Sequence, residues 1–342
     1  MTTVAIRFAI VGCGTIAPMH AEAIGRAQGA ELVAVTSRRP EAAQAFAASR
    51  GIAWEPDLIS LLRRSDVDVV TICTPSGLHA QMAVAAMRAG KHVVVEKPLA
   101  ITLEQADWAI EVSRQTGRQL AVISQLRFAP DVQEVKRAID GGRLGRVLLA
   151  DLSMKYFRSQ AYYDSAGWRG TCAMDGGGAL MNQGIHGIDL LTWLAGMPQS
   201  IFGCTRTLTR RIEVEDTAVA VADLAGGGLA TITATTSVAP GFPRRLAIHG
   251  ERGSIVLEET RIVAWQIEGE PERALPATPV LAASSVPTAL GSDEFASQYQ
   301  AIADSLREGR RPPVNAEEAR RAVAVVLAIY QSSRTGRPVP TA

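Results

Sequence analysis

The first side chain that could do chemistry is Lys97, in the tripeptide Glu96-Lys97-Pro98 after the apolar run Val93–Val95. An ammonium group directly after a buried strand is poorly solvated unless it faces a ligand or a counter-ion. The pattern therefore indicates either a catalytic lysine at the end of a strand or a surface lysine paired with Glu96. A cis peptide bond before Pro98 would fix the direction of the lysine.

A second set of polar residues, Asn182, His186 and Asp189, lies in a glycine-led and mostly apolar stretch with the spacing i, i+4 and i+7. Residues at this spacing share one face of a helix, which here would line a cavity. A single histidine is more often a structural group than a catalyst, but Lys97 in the same chain favours catalysis. His186 suits a general base, because its unperturbed pKa is near 6.5, whereas the amide of Asn182 cannot accept a proton.

The segment Gly12-Cys13-Gly14-Thr15-Ile16-Ala17 follows the apolar run Val4–Val11 and has the G-x-G-x-x-A pattern of a dinucleotide-binding turn. The first glycine allows a tight turn, and the second removes a Cβ that would block a pyrophosphate. The following helix would direct its free N–H groups at the phosphates. We predict a cofactor site at Gly12, Gly14, Thr15 and Ile16; the alternative is a purely structural turn.

The second strand ends in Thr36-Ser37-Arg38-Arg39, with no acidic residue. Sites for NAD usually place a carboxylate there to hold the ribose 2′-hydroxyl. A 2′-phosphate would instead find a hydroxyl and guanidinium groups, and each hydrogen bond to a charged group contributes about 1.5–3 kcal/mol. We predict NADP(H) in preference to NAD(H), with Ser37 and Arg38 at the phosphate; the alternative is that both arginines only solvate a loop.

Short apolar strands alternate with helices through the first half of the chain, which predicts βαβ units and a doubly wound parallel sheet. The predicted strands are Val4–Val11, Glu31–Thr36, Val67–Cys73, Val93–Glu96 and Gln119–Ser124, and the last helix is Leu103–Thr116, with a capping box at Thr102 and Gln105. Ligands bind at the carboxyl ends of such strands. Thr74, Pro75 and His79 lie at one of these ends.

From Arg127 the pattern changes to a helix, a strand (Val147–Tyr156), a loop rich in aromatic residues and then several alternating Thr/Val-rich strands. We expect an α/β protein in which an N-terminal Rossmann domain, residues 1–125, is followed by an α+β domain, residues 126–342, with a large open, mainly antiparallel sheet. An uncovered sheet face predicts an interface. Ala264–Thr288, with its prolines, is predicted to be a loop, and two helices close the chain.

Bulk composition excludes several classes of function. The net charge of +1 gives no electrostatic footprint for nucleic acid or a membrane surface. Four widely separated cysteines fit neither a zinc site nor a disulfide framework, and we predict no metal. No signal-peptide pattern and no membrane-spanning apolar run is present, so we expect a cytoplasmic protein.

These motifs together resemble the Gfo/Idh/MocA oxidoreductases over nearly the whole chain, and Glu96-Lys97-Pro98 is the most specific mark. Many members have Asp where this chain has Asn182, and this variant resembles the branch of UDP-N-acetylglucosaminuronate-type dehydrogenases. The resemblance implies homodimers or homotetramers formed through the C-terminal sheet. It also implies catalysis by Lys97 and His186. The residues it implies at the cofactor, besides those of the two turns, are Thr74, Pro75, His79, Glu96, Lys97 and Arg169. Those at the substrate are Arg127, Tyr163, Trp168, Asn182 and Asp189.

The resulting hypothesis is hydride transfer between a nicotinamide cofactor and a secondary alcohol or ketone of a sugar, cyclitol or sugar nucleotide. Three alternatives stay open: a glycosidase that regenerates its NAD in each cycle, a non-catalytic NADP-binding sensor, and a dehydrogenase of a non-sugar substrate. The polar side chains of the glycine-led stretch favour a polyol, and retention of both Lys97 and His186 counts against a sensor.

Overall fold

The chain divides into two units in a computed structural model that describes residues 5–275 and 292–341. Unit 1 contains residues 5–125 and 292–320, and unit 2 contains residues 126–275 and 321–341. The first division between the units falls after residue 125. Residues 292–320, expected in the second domain, instead pack within unit 1.

Unit 1 is built on a six-stranded parallel sheet in the order β3-β2-β1-β4-β5-β6, the order typical of dinucleotide-binding folds. Its strands are β1 (Ile6–Val11), β2 (Ala30–Thr36), β3 (Ala53–Glu55), β4 (Val69–Ile72), β5 (His92–Val95) and β6 (Leu120–Val122). Every residue of β4 is buried, as expected of a central strand covered on both faces. The five predicted strands are confirmed, and the three-residue β3 is too short to have given a signal.

Helices connect these strands: α1 (Ala17–Arg26), α2 (Pro40–Ala48), α3 (Leu58–Leu62), α4 (His79–Arg88) and α5 (Leu103–Thr116). The predicted bounds of α5 are confirmed. Thr102 accepts a hydrogen bond from the Gln105 backbone N–H at 3.2 Å. The carboxamide oxygen of Gln105 is buried without a partner, so only half of the predicted capping box forms.

Unit 2 is built on an eight-stranded sheet in the order β13-β12-β11-β7-β10-β9-β8-β14. Its elements as far as residue 275 are α6 (Pro130–Asp140), β7 (Val147–Lys155), α7 (Gln160–Asp164), a π-helical turn (Ala179–Gly184), α8 (Ile185–Leu194), β8 (Pro198–Arg206), β9 (Thr217–Leu224), β10 (Leu229–Thr235), β11 (Arg245–Gly250), β12 (Gly253–Glu258) and β13 (Arg261–Ile267). The sheet is antiparallel except for β7 and β10, which confirms the mainly antiparallel sheet. The loop predicted for Ala264–Thr288 is wrong at its start, because 264–267 belong to β13; its residues 276–288 lie outside the described residues.

The closing segment contains α9 (Ser292–Arg307), α10 (Ala316–Thr335) and β14 (Val339–Pro340). The two predicted closing helices are confirmed. Helix α9 packs in unit 1, whereas α10 belongs to unit 2 after Arg320. No helix among the described residues is long and apolar enough to cross a bilayer.

Candidate active site

The turn after β1 has the geometry that a dinucleotide pyrophosphate requires. Gly12 has a φ of +104°, and a Cβ there would lie 2.6 Å from the Cys73 carbonyl oxygen, so only glycine fits. A Cβ on Gly14 would meet nothing within 4 Å, which leaves open space over the turn. No side chain caps the N-terminus of α1 at Ile16. Thr15 lies in the same turn, so the residues present fit a bound pyrophosphate.

The end of β2 offers hydrogen-bond donors, and residues 36–39 include no carboxylate. The Thr36 hydroxyl oxygen is buried with no hydrogen-bond partner, and Ser37 Oγ accepts from the Arg39 backbone N–H at 3.3 Å. Arg39 Nη2 lies 3.4 Å from the Cys13 carbonyl oxygen, beside the glycine turn. Neither Arg38 nor Arg39 forms an ion pair within the described part of the chain. Sequence reasoning placed Arg38 at the phosphate, but Arg39 is the arginine in contact with the turn.

Lys97 follows β5 and is held through its backbone. Its N–H donates to Glu96 Oε2 at 3.1 Å, and the Lys97–Pro98 peptide bond is cis. His79 binds the neighbouring loops, because its Nδ1 lies 2.7 Å from the Pro98 carbonyl oxygen and its Nε2 lies 2.8 Å from that of Thr74. Burial lowers the pKa of His79, and the two carbonyl contacts oppose that shift. With Pro75 between Thr74 and the 3₁₀ turn Ser76–Leu78, this histidine fixes the loops after β4 and β5.

Glu96 belongs to a buried hydrogen-bond network that the sequence analysis did not predict. His20 Nε2 lies 2.9 Å from Glu96 Oε1, and His20 Nδ1 lies 2.8 Å from the Tyr299 hydroxyl. The Tyr299 hydroxyl lies 3.3 Å from that of Thr71. Because a carboxylate only accepts, Nε2 carries the proton, and in the neutral ring Nδ1 accepts from Tyr299. The available signal was a histidine on the otherwise apolar buried face of α1.

The glycine-led segment is not one regular helix. Ala179–Gly184 is π-helical and α8 begins only at Ile185, so Asn182 and His186 lie in two consecutive elements and not in one regular α-helix. Asn182 Nδ2 donates to Asp175 Oδ1, and Asn182 Oδ1 accepts from Gln183 Nε2 at 2.7 Å. A carboxylate, that of Asp175, is thus bonded to the amide at position 182.

Glu215, in the loop before β9, anchors the π-helical turn. Its carboxylate accepts from the backbone N–H groups of Gly178 at 3.0 Å and Leu180 at 2.8 Å, and from the Tyr330 hydroxyl at 2.9 Å. Burial raises the pKa of Glu215, and these donors oppose that shift. A Cβ on Gly178 would lie 1.9 Å from the Glu215 carbonyl oxygen, which explains the third glycine.

Two of the residues predicted at the substrate form a buried ion pair. Arg127 donates to both carboxylate oxygens of Asp189, at 2.8 and 2.6 Å, and the two side chains are 4% and 6% exposed. The Arg127 guanidinium also lies 5.0 Å from the centre of the Trp193 ring. The pair ties the start of unit 2 to α8, the helix that carries His186.

In the aromatic loop before the π-helical turn, Arg169 packs against two aromatic rings. The Arg169 guanidinium lies 4.1 Å from the centre of the Tyr162 ring and 4.9 Å from that of Trp168. Tyr163, predicted at the substrate, is buried with its hydroxyl 2.9 Å from that of Thr236, and burial raises the pKa of Tyr163 to about 12.

The predicted residues divide between the two units. Unit 1 holds the predicted cofactor residues other than Arg169, at the carboxyl ends of β1, β2, β4 and β5. Unit 2 holds Arg169, His186 and the predicted substrate residues. Among the residues that the structure describes, no group of three or more His, Cys, Asp or Glu side chains could hold a metal ion.

Sequence and structure comparisons agree on the family. The model for the oxidoreductase family with an NAD-binding Rossmann fold matches residues 6–124, and the model for the GFO/IDH/MocA C-terminal domain matches residues 132–256. Inositol 2-dehydrogenase 2 of Saccharopolyspora erythraea is 30% identical over 76% of this chain and 75% of its own. The scyllo-inositol 2-dehydrogenase (NADP(+)) IolW of Bacillus subtilis is 28% identical over 80% of this chain and 78% of its own.

One of the similar solved structures is that of the WlbA dehydrogenase of Bordetella pertussis in complex with NADH and UDP-GlcNAcA. It is 35% identical, covers 98% of both chains and has a TM-score of 0.88. The glycine turn in unit 1 and the glycine-led segment in unit 2 fall within the two matched family domains. The chain therefore belongs to the Gfo/Idh/MocA family of oxidoreductases.

Proposed function

We propose that this protein is an NAD(P)-dependent dehydrogenase that oxidises a secondary alcohol of a sugar, cyclitol or sugar nucleotide, or reduces the matching ketone. The observation that carries this proposal is the glycine turn with open space over Gly14, together with Lys97 at the end of β5 in the same sheet. The nicotinamide cofactor, when bound, accepts or donates the hydride.

The chain's own residues move the proton and stabilise charge. His186 accepts the hydroxyl proton as hydride leaves the substrate carbon, and an imidazole is suited to this role near neutral pH. The Lys97 ammonium donates a hydrogen bond to the same oxygen and stabilises its developing negative charge. Asn182, held by Asp175 and Gln183, presents an amide that orients the substrate.

The remaining predicted residues act through these groups. We assign His79 and Glu96 to holding the Lys97 loop, on the basis of their contacts with the backbone around Pro98. We assign Arg127 and Asp189 to positioning α8, because each neutralises the other in the interior. Tyr163 supports the aromatic loop through Thr236.

Absorbance at 340 nm tests the activity. Purified protein with NADP⁺ or NAD⁺ is mixed with a panel of sugars, inositols and sugar nucleotides, and reduction of the cofactor is followed. Lys97→Met and His186→Ala should each lower turnover about 10²–10⁴-fold, because the first removes a positioned hydrogen-bond donor and the second a positioned proton acceptor. The cofactor Kd should stay nearly unchanged.

Matched controls are Lys155→Met, at an exposed strand position, and His249→Ala, at a sheet histidine bonded to Ser254. Both controls should retain turnover. Normal turnover in either Lys97→Met or His186→Ala would refute the roles proposed for those residues. Sugar release without net cofactor reduction would instead identify the glycosidase alternative.

We infer a preference for NADP(H) from the end of β2. Ser37, Arg38 and Arg39 offer hydroxyl and guanidinium donors there with no carboxylate to repel a phosphate. In Arg38→Ala/Arg39→Ala, fluorescence titration should give a Kd for NADPH raised at least about tenfold, the loss of one charge-assisted hydrogen bond, and a Kd for NADH changed less than about twofold. Arg88→Ala, at the end of α4, is the control. Equal weakening of both cofactors would remove the inferred preference.

We further propose that two copies of the chain pair through the outer face of the unit 2 sheet. On β9 the inward residues are the small Ala218, Ala220 and Ala222, whereas Val219 and Val221 point outward and are more than half exposed. Phe202 on β8 lies opposite Val221 and widens this apolar strip. Large apolar side chains on the outer face favour a covered surface, and a second copy supplies a matching one.

A further inference from the structure

We propose that His20 is a positioning residue of the reaction: it holds the Glu96 carboxylate as an anion of fixed orientation, and Glu96 in turn holds the backbone turn that carries Lys97. This inference rests on the proposed dehydrogenase function, because it assigns a residue that acts through Lys97. The residues of the network all belong to unit 1.

The Glu96 carboxylate joins two parts of unit 1. His20 lies on α1, the helix that follows the glycine turn, and its Nε2 is 2.9 Å from Glu96 Oε1. The other carboxylate oxygen, Oε2, accepts from the Lys97 backbone N–H at 3.1 Å. On the far side of the imidazole, Nδ1 is 2.8 Å from the hydroxyl of Tyr299 on α9. The position of the Lys97 turn is therefore linked to both helices through one imidazole.

The hydrogen bonds of this network are directed towards Glu96. His20 Nε2 donates to the carboxylate, and Nδ1 then accepts from the Tyr299 hydroxyl. The Tyr299 oxygen, 3.3 Å from that of Thr71, is left to accept from the threonine hydroxyl. Successive hydrogen bonds polarise one another, which strengthens the last bond of the series. This arrangement stabilises the charged form of Glu96.

Burial separates the network from water. His20, Tyr299 and Thr71 are 0% exposed, and the Phe295 ring contacts the His20 ring edge to face, with 5.3 Å between centroids. Because none of these three side chains reaches solvent, the network does not conduct protons to the surface. It fixes a charge and an orientation instead.

Neighbouring groups respond to the charge of Glu96. Burial raises the pKa of the Cys73 thiol, and the negative charge of Glu96 adds to that shift. Burial lowers the pKa of His79, and the Glu96 charge opposes that shift. A change in this charge would therefore reach the loops after β4 and β5. The titratable groups around the carboxylate are His20 from α1, Cys73 after β4, His79 from α4, Tyr299 from α9 and Lys97 itself.

His20→Gln and His20→Asn form a matched pair of amides. Glutamine places an N–H near the position of Nε2 and keeps the bond to Glu96, whereas the shorter asparagine ends near the position of Nδ1. The substrate is the compound that reduces the cofactor fastest in the absorbance panel. His20→Asn should lower kcat at least about tenfold, and His20→Gln should stay within about threefold of the unmodified protein. KM and the cofactor Kd should change less than about twofold in both variants, because only the Lys97 turn is displaced.

The pH dependence of kcat separates this role from a merely structural one. A carboxylate that loses a hydrogen-bond donor takes up a proton at a higher pH. The acidic limb of the kcat profile should therefore move to higher pH in His20→Asn and stay in place in His20→Gln. In the double variant His20→Asn/Glu96→Gln the shift should be absent, because the titrating carboxylate is gone. The control His249→Asn, in the sheet of unit 2, should leave the profile unchanged.

Nuclear magnetic resonance tests the same link without turnover. Reductive methylation with carbon-13 formaldehyde labels the lysine side chains, and the signal that is missing in Lys97→Met belongs to Lys97. That signal should move in His20→Asn and stay in place in His20→Gln. The signals of the other lysines, Lys91, Lys136 and Lys155, should not move in either variant.

Three results would overturn this inference: an equal fall in kcat at every pH, a pH shift that persists in the double variant, or an unmoved Lys97 signal in His20→Asn. Thermal melts followed by circular dichroism establish that each variant is folded. Failure of the dehydrogenase proposal is a separate result. It would show as no cofactor reduction with any compound of the panel, while the Lys97 signal still responds to His20→Asn.

Discussion

Arg127 and Asp189 show how burial changes the role of a charged side chain. The family resemblance implies that both lie at the substrate, and the folded chain pairs them with each other at 2.6 Å in the interior of unit 2. Removing one partner of such a pair leaves an uncompensated charge that burial keeps from water. We therefore expect the pair to contribute to the position of α8.

Asp189→Asn should lower the free energy of unfolding by about 3–5 kcal/mol, the usual effect of breaking a buried ion pair. Urea denaturation followed by circular dichroism measures the change. Glu270→Gln is the matched control, because its partner Arg143 is 42% exposed; it should cost no more than about 1 kcal/mol. Similar small effects for both variants would show that the buried pair does not hold α8.

At the scale of elements, the loops after β4 and β5 are joined by one imidazole. His79 has one ring nitrogen within hydrogen-bond distance of a carbonyl oxygen in each loop, and the neutral ring donates to one of them. Burial lowers the pKa of His79 below the usual 6.5. Below pH 6.5 the unfolded chain therefore takes up a proton that the folded chain resists. The contribution of His79 to the free energy of unfolding is fully present above pH 6.5. It decreases as the pH falls, by at most about 1.4 kcal/mol per pH unit.

The pH dependence can be isolated by comparing the protein with His79→Asn at pH 7.5 and pH 5.5. Groups common to both proteins, including His92 and Glu215, cancel in the difference. The free energy of unfolding should fall more steeply towards pH 5.5 in the unmodified protein than in the variant. Parallel curves would mean that His79 does not titrate differently in the folded chain.

Local pattern predicted most of these elements, and its failures have a common cause. The strand at Ile6–Val11 and the helix at Leu103–Thr116 follow from periodicity and capping, which are properties of neighbouring residues. The π-helical turn at Ala179–Gly184 depends on Glu215, 35 residues beyond Leu180. Sequence periodicity cannot predict that contact, because it describes only residues that are close in the chain.

The site residues divide in the same way. Gly12, Gly14 and Lys97 could be predicted because each stands in a local motif next to a strand. The hydrogen-bond network of Glu96, His20 and Tyr299 could not be predicted in this way. His20 and Tyr299 are 279 residues apart in the chain, so no local motif indicates their contact. It also explains why α9 belongs to unit 1 despite its place near the end of the chain.

For the whole molecule, the placement of small and large residues in the second sheet argues for assembly. A Cβ on Gly203 would lie 2.9 Å from Ile329 of α10, so the inner face is packed closely with small residues. The outer face carries Phe202, Val219, Val221 and Leu229, which are 40–56% exposed. A monomer would leave this apolar strip in water, and covering it favours association.

Val221→Glu tests that assembly. Val221 lies beside Phe202 on one neighbouring strand and Thr231 on the other, so a carboxylate there would be buried without a partner in a pair of copies. Light scattering after gel filtration should give a dimer or tetramer for the unmodified chain at micromolar concentration. The variant should dissociate, with a dissociation constant raised at least about 100-fold, the effect of roughly 3 kcal/mol. Ile59→Glu places the same charge at a 63% exposed position of α3 and should leave the mass unchanged. A monomeric unmodified chain, or a variant of unchanged mass, would exclude this face as the interface.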